Sequence, residues 1–330
     1  MGRPRPEPLG RLVRFAAADG IDLTGLLFEP RRSSKRAAIF LHGMGGSFEP
    51  KRTNILARAF TSRGLAFFAF NNRGSYLVRR LGGGQAGMAF ERIRDCVHDI
   101  DGAIRELRRR GYRDLTLIGH STGANKIAVF DHYKPRNTVK RYVLLGGGDD
   151  TGLAWDYLGP RRFPCALEKA RAMIRARRGH ELVPPSVSNL LLSWRSFYDM
   201  SNPDGDYNVF PFLEVMRNVR LSRRPRFRHL RAIRKPTLVL YGDRDEFCYG
   251  DVSRCLAILA AALTPRTNFD LATLANADHG FAGREEEVAE VILEWNAGVP
   301  PADPAPSRRR SVPAARRRRA SRRGRRRSTI

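Results

Sequence analysis

The sequence predicts an α/β fold built on a mostly parallel central sheet flanked by helices, and three observations carry that expectation. Short apolar runs alternate with segments of helical periodicity from Ala37 to Leu145, and again from Pro236 to Ala297. Runs such as AAIFL (37–41) and PTLVLY (236–241) are apolar throughout, the pattern of strands buried on both faces. Four of the runs end in loops rich in glycine and chemistry-bearing residues: His42 to Gly46, Ser121, Asp243 to Asp245, and His279. Open sheets of this type place their chemistry at the carboxyl ends of the strands.

Taken in order, Arg11 to Ala18 and Ile21 to Phe28 are strand-like runs around Asp19-Gly20, a two-residue hairpin signal. Arg31 to Arg36 reads as a polar loop and Ala37 to Leu41 as a buried strand. Pro50 to Gly64 reads as a helix, because Ile55, Leu56, Ala59 and Phe60 recur at helical spacing. Leu65 to Phe70 is the next strand, closed by Asn71-Asn72-Arg73-Gly74. LGGGQAG (81–87) reads as a flexible loop. Phe90 to Arg110 reads as one long amphipathic helix, with Ile93, Val97, Ile100, Ile104 and Leu107 on one stripe.

The run Leu115 to Ile118 passes through Gly-His-Ser-Thr-Gly into a helix-compatible segment, Ala124 to Phe130. Arg141 to Leu145 is another strand, ending in GGGDD. The alternation then stops, and Thr151 to about His229 holds helix-like pieces, proline pairs and aromatic-rich stretches. Regular order resumes at Pro236 to Tyr241, with a helix near Asp251 to Leu263, a strand from Asn268 to Leu274 and a helix from Arg284 to Ala297. The expected organisation is a first core part (1–150), an insertion (151–229), a second core part (230–298) and an Arg-rich tail (299–330) with too little apolar content to fold alone.

The chain of 330 residues carries a formal charge of +27, of which +11 falls in residues 301–330. Such a charge points to nucleic acid or an anionic membrane as a non-specific partner of the tail. Arginine outnumbers lysine 53 to 7, however, a bias that GC-rich coding produces without selection for a partner. Cys96, Cys165, Cys248 and Cys255 have neither zinc-ligand spacing nor a CxxC, which suits a reducing compartment. No apolar leader precedes residue 15 and no run is long enough to span a bilayer, so a soluble cytoplasmic protein is expected.

The strand, sharp turn and helix around GHSTG (119–123) are the context of a nucleophilic serine. Gly119 and Gly123 leave room on either side for Ser121 to stand clear of the sheet. The plainer reading is a helix-capping serine after a tight turn. A serine hydroxyl needs a positioned base, and histidine titrates in the right range. Of seven histidines, only His279 combines a loop after a late strand with small flanking residues. His120 should point into the turn, His42 suits a structural role, His98 lies on a helix, and His132, His180 and His229 sit in basic stretches expected to be exposed.

The base needs a carboxylate to fix its tautomer. Asp245, past the turn after PTLVLY, is preferred; Asp243 is the alternative acid, more suited to closing that turn, and Asp149 or Asp150 could serve from the preceding strand. Two backbone amides must face the oxyanion of the tetrahedral intermediate. One is that of Thr122, at the start of the helix; the other is assigned to Met44 in HGMGG (42–46), with Gly45 as the alternative. HGMGG also reads as a plain glycine turn, and it lacks the phosphate-loop patterns G-x-x-x-x-G-K-[ST] and G-x-G-x-x-G.

FLHGMGG, NNRG, LIGHSTGAN, YGDRDE and NADHGF together resemble the α/β-hydrolase superfamily over roughly residues 11–298, in its serine-aminopeptidase-like and esterase branches. GHSTGAN and SFYDMSNPDGDYNVFPF are similar to a group that includes siderophore-ester hydrolases. The resemblance implies an α/β-hydrolase fold and hydrolysis of a small ester, or else an amide or thioester, through an acyl-enzyme without cofactor or metal. Its catalytic roles carry over to Ser121, His279 and Asp245, and the chain order Ser, Asp, His is the one it implies. Asn71-Asn72-Arg73-Gly74 departs from the Asp-x-x-Gly loop frequent in the family.

The family often inserts a helical cap where residues 151–229 fall. There Leu167, Ala170, Met173 and Ile174 share one helical face, with Arg171, Arg175, Arg177 and Arg178 largely on the other. This reads as a helix packed on the core with a solvated basic side. A sharper expectation has Trp194, Phe197, Tyr198, Phe210 and Phe212 roofing an acyl pocket with arginines at its mouth, favouring acidic or polar-headed esters. An acyltransferase on the same triad and a non-catalytic protein binding through its basic tail are the alternatives.

Overall fold

The computed structural model describes residues 9–49 and 51–299. The elements are β1 (Gly10–Ala16), β2 (Asp22–Phe28), β3 (Arg36–Leu41), α1 (Lys51–Ser62), β4 (Ala66–Asn71), β5 (Arg79–Leu81), β6 (Gly84–Ala86), α2 (Cys96–Arg109), β7 (Asp114–His120) and α3 (Thr122–Tyr133). They continue with β8 (Arg141–Leu145), α4 (Asp150–Arg175), α5 (Trp194–Ser201), α6 (Phe212–Met216), α7 (Arg228–Ala232), β9 (Thr237–Gly242), α8 (Val252–Leu263), β10 (Phe269–Leu274) and α9 (Glu285–Gly298).

Eight strands form one sheet in the order β1-β2-β4-β3-β7-β8-β9-β10. Every pair from β4 to β10 is parallel, and only the β1–β2 hairpin and its junction with β4 are antiparallel. The reason is visible in the burial. In β3, Ala37, Ile39 and Leu41 enter one hydrophobic layer while Ala38 and Phe40 enter the other. In β4, Phe68 and Phe70 oppose Phe67 and Ala69 in the same way. Strands apolar on both faces need helices on both. Helices α1 and α9 cover one face, through Leu56, Phe60, Val288 and Ile292. Helices α2, α3 and α8, with the 150–233 segment, cover the other.

Register brings the functional strand ends level, because Leu41 pairs with Gly119, and His120 with Leu145, which pairs with Leu240. The loops after β3, β7, β8 and β9 therefore leave one edge of the sheet together.

Several expectations need correcting. Residues 81–87 are not a loosely structured loop: β5 and β6 form a hairpin closed by Gly82 and Gly83, whose φ values of 57° and 77° suit a primed two-residue turn. The first hairpin is wider than a two-residue turn, with Ala17 N–H reaching the Ile21 carbonyl at 2.8 Å. The helix expected from Phe90 begins only at Cys96. Glu91 is extended (φ −67°, ψ 142°) and its carboxylate is drawn to Lys126, so only short 3-10 turns precede α2. His229 is fully buried, not exposed, against Asp206. Cys165 is exposed, whereas the other three cysteines are buried.

The insertion begins with α4, which kinks at Gly159 (φ 73°, ψ 168°) ahead of Pro160. Ala170 and Met173 face the core and Arg171, Arg175, Arg177 and Arg178 face solvent, as the periodicity predicts. The Arg-rich tail beyond Val299, residues 1–8 and the expected helix start at Pro50 lie outside the described residues. Among the described residues no helix is long and apolar enough to cross a membrane.

Candidate active site

The strand-end loops surround a cavity of about 660 Å³. Ser121 stands on its wall, between β7 and α3, with its backbone at φ 58° and ψ −130°. Such a conformation persists in a non-glycine residue only where surroundings over-determine it. Here the Ser121 N–H donates to the Leu145 carbonyl of β8 at 2.8 Å, and the Ser121 carbonyl accepts the Ala124 N–H at 2.8 Å. A methyl group on Gly119 would collide with the Gly123 carbonyl, and one on Gly123 with the Leu41 carbonyl of β3. Both glycines are thus required by the turn, as the sequence suggested. Gly43 adds a third close approach: a Cβ there would lie 2.8 Å from Ser121 Cβ and 3.2 Å from its Oγ.

His279 lies beyond β10 and shares the cavity wall with Ser121. Its Nδ1 is 3.0 Å and 2.9 Å from the two carboxylate oxygens of Asp245. A carboxylate only accepts, so the Nδ1 facing it carries a proton, and Nε2 is the ring nitrogen free of that contact. Asp245 is buried and held by the Phe247 N–H at 3.0 Å. Gly146, at φ 55° after β8, packs against the pair; a Cβ there would lie 3.2 Å from both Asp245 Oδ2 and His279 Nδ1.

The histidine loop is fixed from several sides. The His279 N–H donates to Glu246 Oε2 at 3.0 Å, and the Phe247 ring meets the imidazole edge-on at 4.6 Å. His120 Nε2 lies 2.7 Å from the His279 carbonyl and must donate to it. Burial, together with the charges of Arg52 and His279, pushes the His120 pKa well below its ordinary value, so this ring stays neutral. Arg52 donates to the Gly280 carbonyl.

Met44 and Thr122 both line the cavity beside Ser121. The loop carrying Met44 rests on the NNRG segment: the Phe48 N–H donates to Asn71 Oδ1 at 2.9 Å, and the Tyr76 N–H to the Gly46 carbonyl at 3.2 Å. Asn72 Oδ1 accepts from the Gly74 N–H at 3.0 Å and from Lys126 Nζ at 3.2 Å. Lys126 is fully buried and pairs with Glu91 at 2.5 Å. His42, its Nδ1 2.8 Å from the Gly43 carbonyl, is pushed down to about 3 by burial and the nearby Lys126 charge.

The alternative acids sit elsewhere. Asp243 is exposed and accepts the Ala277 N–H at 3.2 Å, closing the turn. Asp149 caps α4 through the Gly152 N–H at 2.9 Å and also accepts the Leu213 N–H at 2.8 Å and the Tyr249 hydroxyl at 3.0 Å; burial raises it to about 7. Asp150 lines the cavity without bonding to His279. Of the five aromatics expected to roof the pocket, only Phe197 lines it; Trp194, Phe210 and Phe212 are core residues, and Tyr198 packs against that core. Val187 to Leu190, with Tyr157, supply that wall instead. The supporting roles of His120, Glu246 and Lys126 were not legible, because each depends on contacts between segments remote in sequence.

Residues 32–283 match the family described as serine aminopeptidase, S33, and the chain belongs to that family of α/β-hydrolases. No curated protein matches the sequence. Among solved structures the chain is similar to the α/β-hydrolase GrgF from Penicillium sp. sh18, at 16% identity and TM-score 0.59, covering 87% of this chain and 97% of that one. It is similar to Est1E from Butyrivibrio proteoclasticus bound to ferulic acid, at 18% identity and TM-score 0.52, covering 86% and 97%. It is also similar to carboxylesterase CesB from Bacillus subtilis, at 17% identity and TM-score 0.52, covering 88% and 93%.

Proposed function

We propose that this α/β-hydrolase of the serine aminopeptidase family cleaves carboxylic esters through an acyl-enzyme, with Ser121 as nucleophile, His279 as base and Asp245 as its acidic partner. The observation that carries the reading is the Asp245 carboxylate set against His279 Nδ1 at 2.9 Å, on the wall of a cavity that also exposes Ser121. That contact leaves Nε2 as the only ring atom able to take a proton.

As Ser121 Oγ bonds to the substrate carbonyl carbon, its proton passes to His279 Nε2 and the carbonyl π electrons move onto oxygen. Asp245 stabilises the imidazolium so formed. The Thr122 N–H, at the first position of α3 where no intrahelical acceptor exists, and the Met44 N–H receive the oxyanion. Donors of this kind are worth about 3–4 kcal/mol each in the transition state. Collapse breaks the carbon–oxygen bond to the alcohol, which leaves with the proton from Nε2. Water, deprotonated by the same nitrogen, then releases the acid. Residues 151–229 act as the cap, contributing Leu153, Tyr157, Val187 and Leu190 to the cavity. The relatives named as esterases make an ester the first substrate class to try.

Turnover of p-nitrophenyl esters of graded acyl length tests the reading. The wild type is expected to hydrolyse members of the series, and Ser121→Ala to lose at least about 10³-fold in kcat. A folded wild-type protein inert towards the whole series would contradict it.

A further inference from the structure

Three consecutive residues grip His279, and the third keeps a free face. The Asp245 carboxylate meets His279 Nδ1 at 2.9 Å, and Glu246 Oε2 accepts the His279 N–H at 3.0 Å. The Phe247 ring lies 4.6 Å from the imidazole, centroid to centroid, with 70° between the planes. A tight turn stiffens this segment: the Cys248 N–H donates to the Asp245 carbonyl at 3.2 Å, and the Phe247 N–H to Asp245 Oδ1 at 3.0 Å. Asp245 is buried, whereas Phe247 is 43% exposed and lines the cavity with Ser121 and His279. A ring that only packed the histidine would gain most from full burial. Phe281, packed edge-on against His120 at 6.1 Å and only 2% exposed, shows that arrangement.

The chemistry decides what the exposed ring faces. Nδ1 is turned to Asp245, so the proton that departs with the alcohol comes from Nε2. The oxygen of the leaving alcohol must therefore come within hydrogen-bond distance of Nε2. The imidazole is small, so Nε2 and the Phe247 ring are close neighbours whichever edge of the imidazole the phenyl meets. Substituents one or two bonds from that oxygen then fall within van der Waals reach of the ring. The acyl carbon becomes bonded to Ser121 Oγ, and its chain is under no such requirement. Arg52 and His120 share the same wall, but each is engaged by a backbone carbonyl, that of Gly280 and of His279 respectively.

We propose that Phe247 is a specificity-determining residue that selects esters whose alcohol carries an aromatic ring one or two carbons from the ester oxygen. The inference rests on the hydrolytic reading above. An alcohol that attacks the acyl-enzyme retraces the path of a departing one. Its oxygen bonds to the acyl carbon, its proton passes to Nε2, and the bond from that carbon to Ser121 Oγ breaks as Oγ recovers the proton. Phe247 therefore favours the same alcohols as leaving groups and as acceptors.

The test compares benzyl, 2-phenylethyl and ethyl butyrate by kcat/KM. It also compares the three free alcohols as acceptors from p-nitrophenyl butyrate, with the ester products measured by gas chromatography. The acyl group is common to every arm, and a general weakening of His279 cancels in the ratio of two alcohols. At least one aromatic alcohol should exceed ethanol by about fivefold or more, the size expected of an aromatic contact. That excess should fall to within about twofold in Phe247→Ala and persist in Phe247→Tyr, which keeps the ring.

Wild-type ratios near one in either measurement overturn the proposal. So does a preference that survives Phe247→Ala, or one lost as fully in Phe247→Tyr. A folded wild type that turns over no butyrate ester would sink the hydrolytic reading and this inference with it. Hydrolysis without an aromatic preference would sink this inference alone.

Discussion

Gly43 packs against the proposed nucleophile and Gly146 against the proposed base. A Cβ on Gly43 would lie 2.8 Å from Ser121 Cβ, closer than such atoms approach, so either the serine or the loop carrying Met44 must move. Displacements of about 1 Å at a reacting group typically cost about 10² in rate. Gly43→Ala should therefore lower kcat by about that factor while the protein keeps its fold, as steady-state kinetics and circular dichroism would show. Asp245→Asn should leave the ring in place but favour the wrong tautomer, lowering kcat by about 10⁴. The same substitution at Asp243, which only closes a turn, should cost less than about tenfold. His42 supplies a pH test of a different kind. Its folded pKa, near 3, lies below the unfolded value of about 6.5, so the unfolded chain binds the proton first and stability is lost as pH falls below 6.5. Between pH 5.5 and 4.5 the unfolding free energy of the wild type should fall by about 1 kcal/mol relative to His42→Gln, read by urea titration at the two pH values.

Among the elements, α3 ties the nucleophile to the loop opposite. Lys126 on this helix is buried against Glu91 at 2.5 Å and reaches Asn72, whose neighbours support the Met44 loop. Removing one member of a buried pair leaves an uncompensated charge and typically costs about 3–5 kcal/mol. Lys126→Met should show a loss of that size in denaturant unfolding, and Lys126→Met with Glu91→Leu should recover most of it. This pair also explains what the sequence left hidden. Strands such as β3, β4, β8 and β9 were legible to within a residue or so, because a strand buried on both faces is apolar throughout. The start of α2 was not, because Glu91 answers to a lysine on another helix rather than to its neighbours. The Gly82-Gly83 turn was misread for a related reason: glycine permits both a loose loop and a tight primed turn, and only pairing of the flanking strands decides between them.

Across the whole molecule, level strand ends gather residues that are far apart in the chain, and the proposed Ser121, Asp245 and His279 lie in the loops beyond three of them. Each follows a strand whose direction the alternation of elements dictates. The cavity wall was less legible, since Trp194, Phe197, Tyr198, Phe210 and Phe212 are all aromatic and sequence alone does not divide core from lining. Only Phe197 borders the cavity. The sheet and both hydrophobic layers lie between Gly10 and Gly298. Ending the chain at residue 299 should accordingly leave kcat/KM for a neutral ester within about twofold, whatever the basic tail binds.

Reaction with a fluorophosphonate, followed by peptide mass mapping, tests the proposed activation of Ser121 most directly. The account predicts one phosphonyl adduct, on Ser121, forming at least about 10³ times more slowly in His279→Ala. An adduct on another residue, or one on Ser121 that forms as fast without the imidazole, would contradict it.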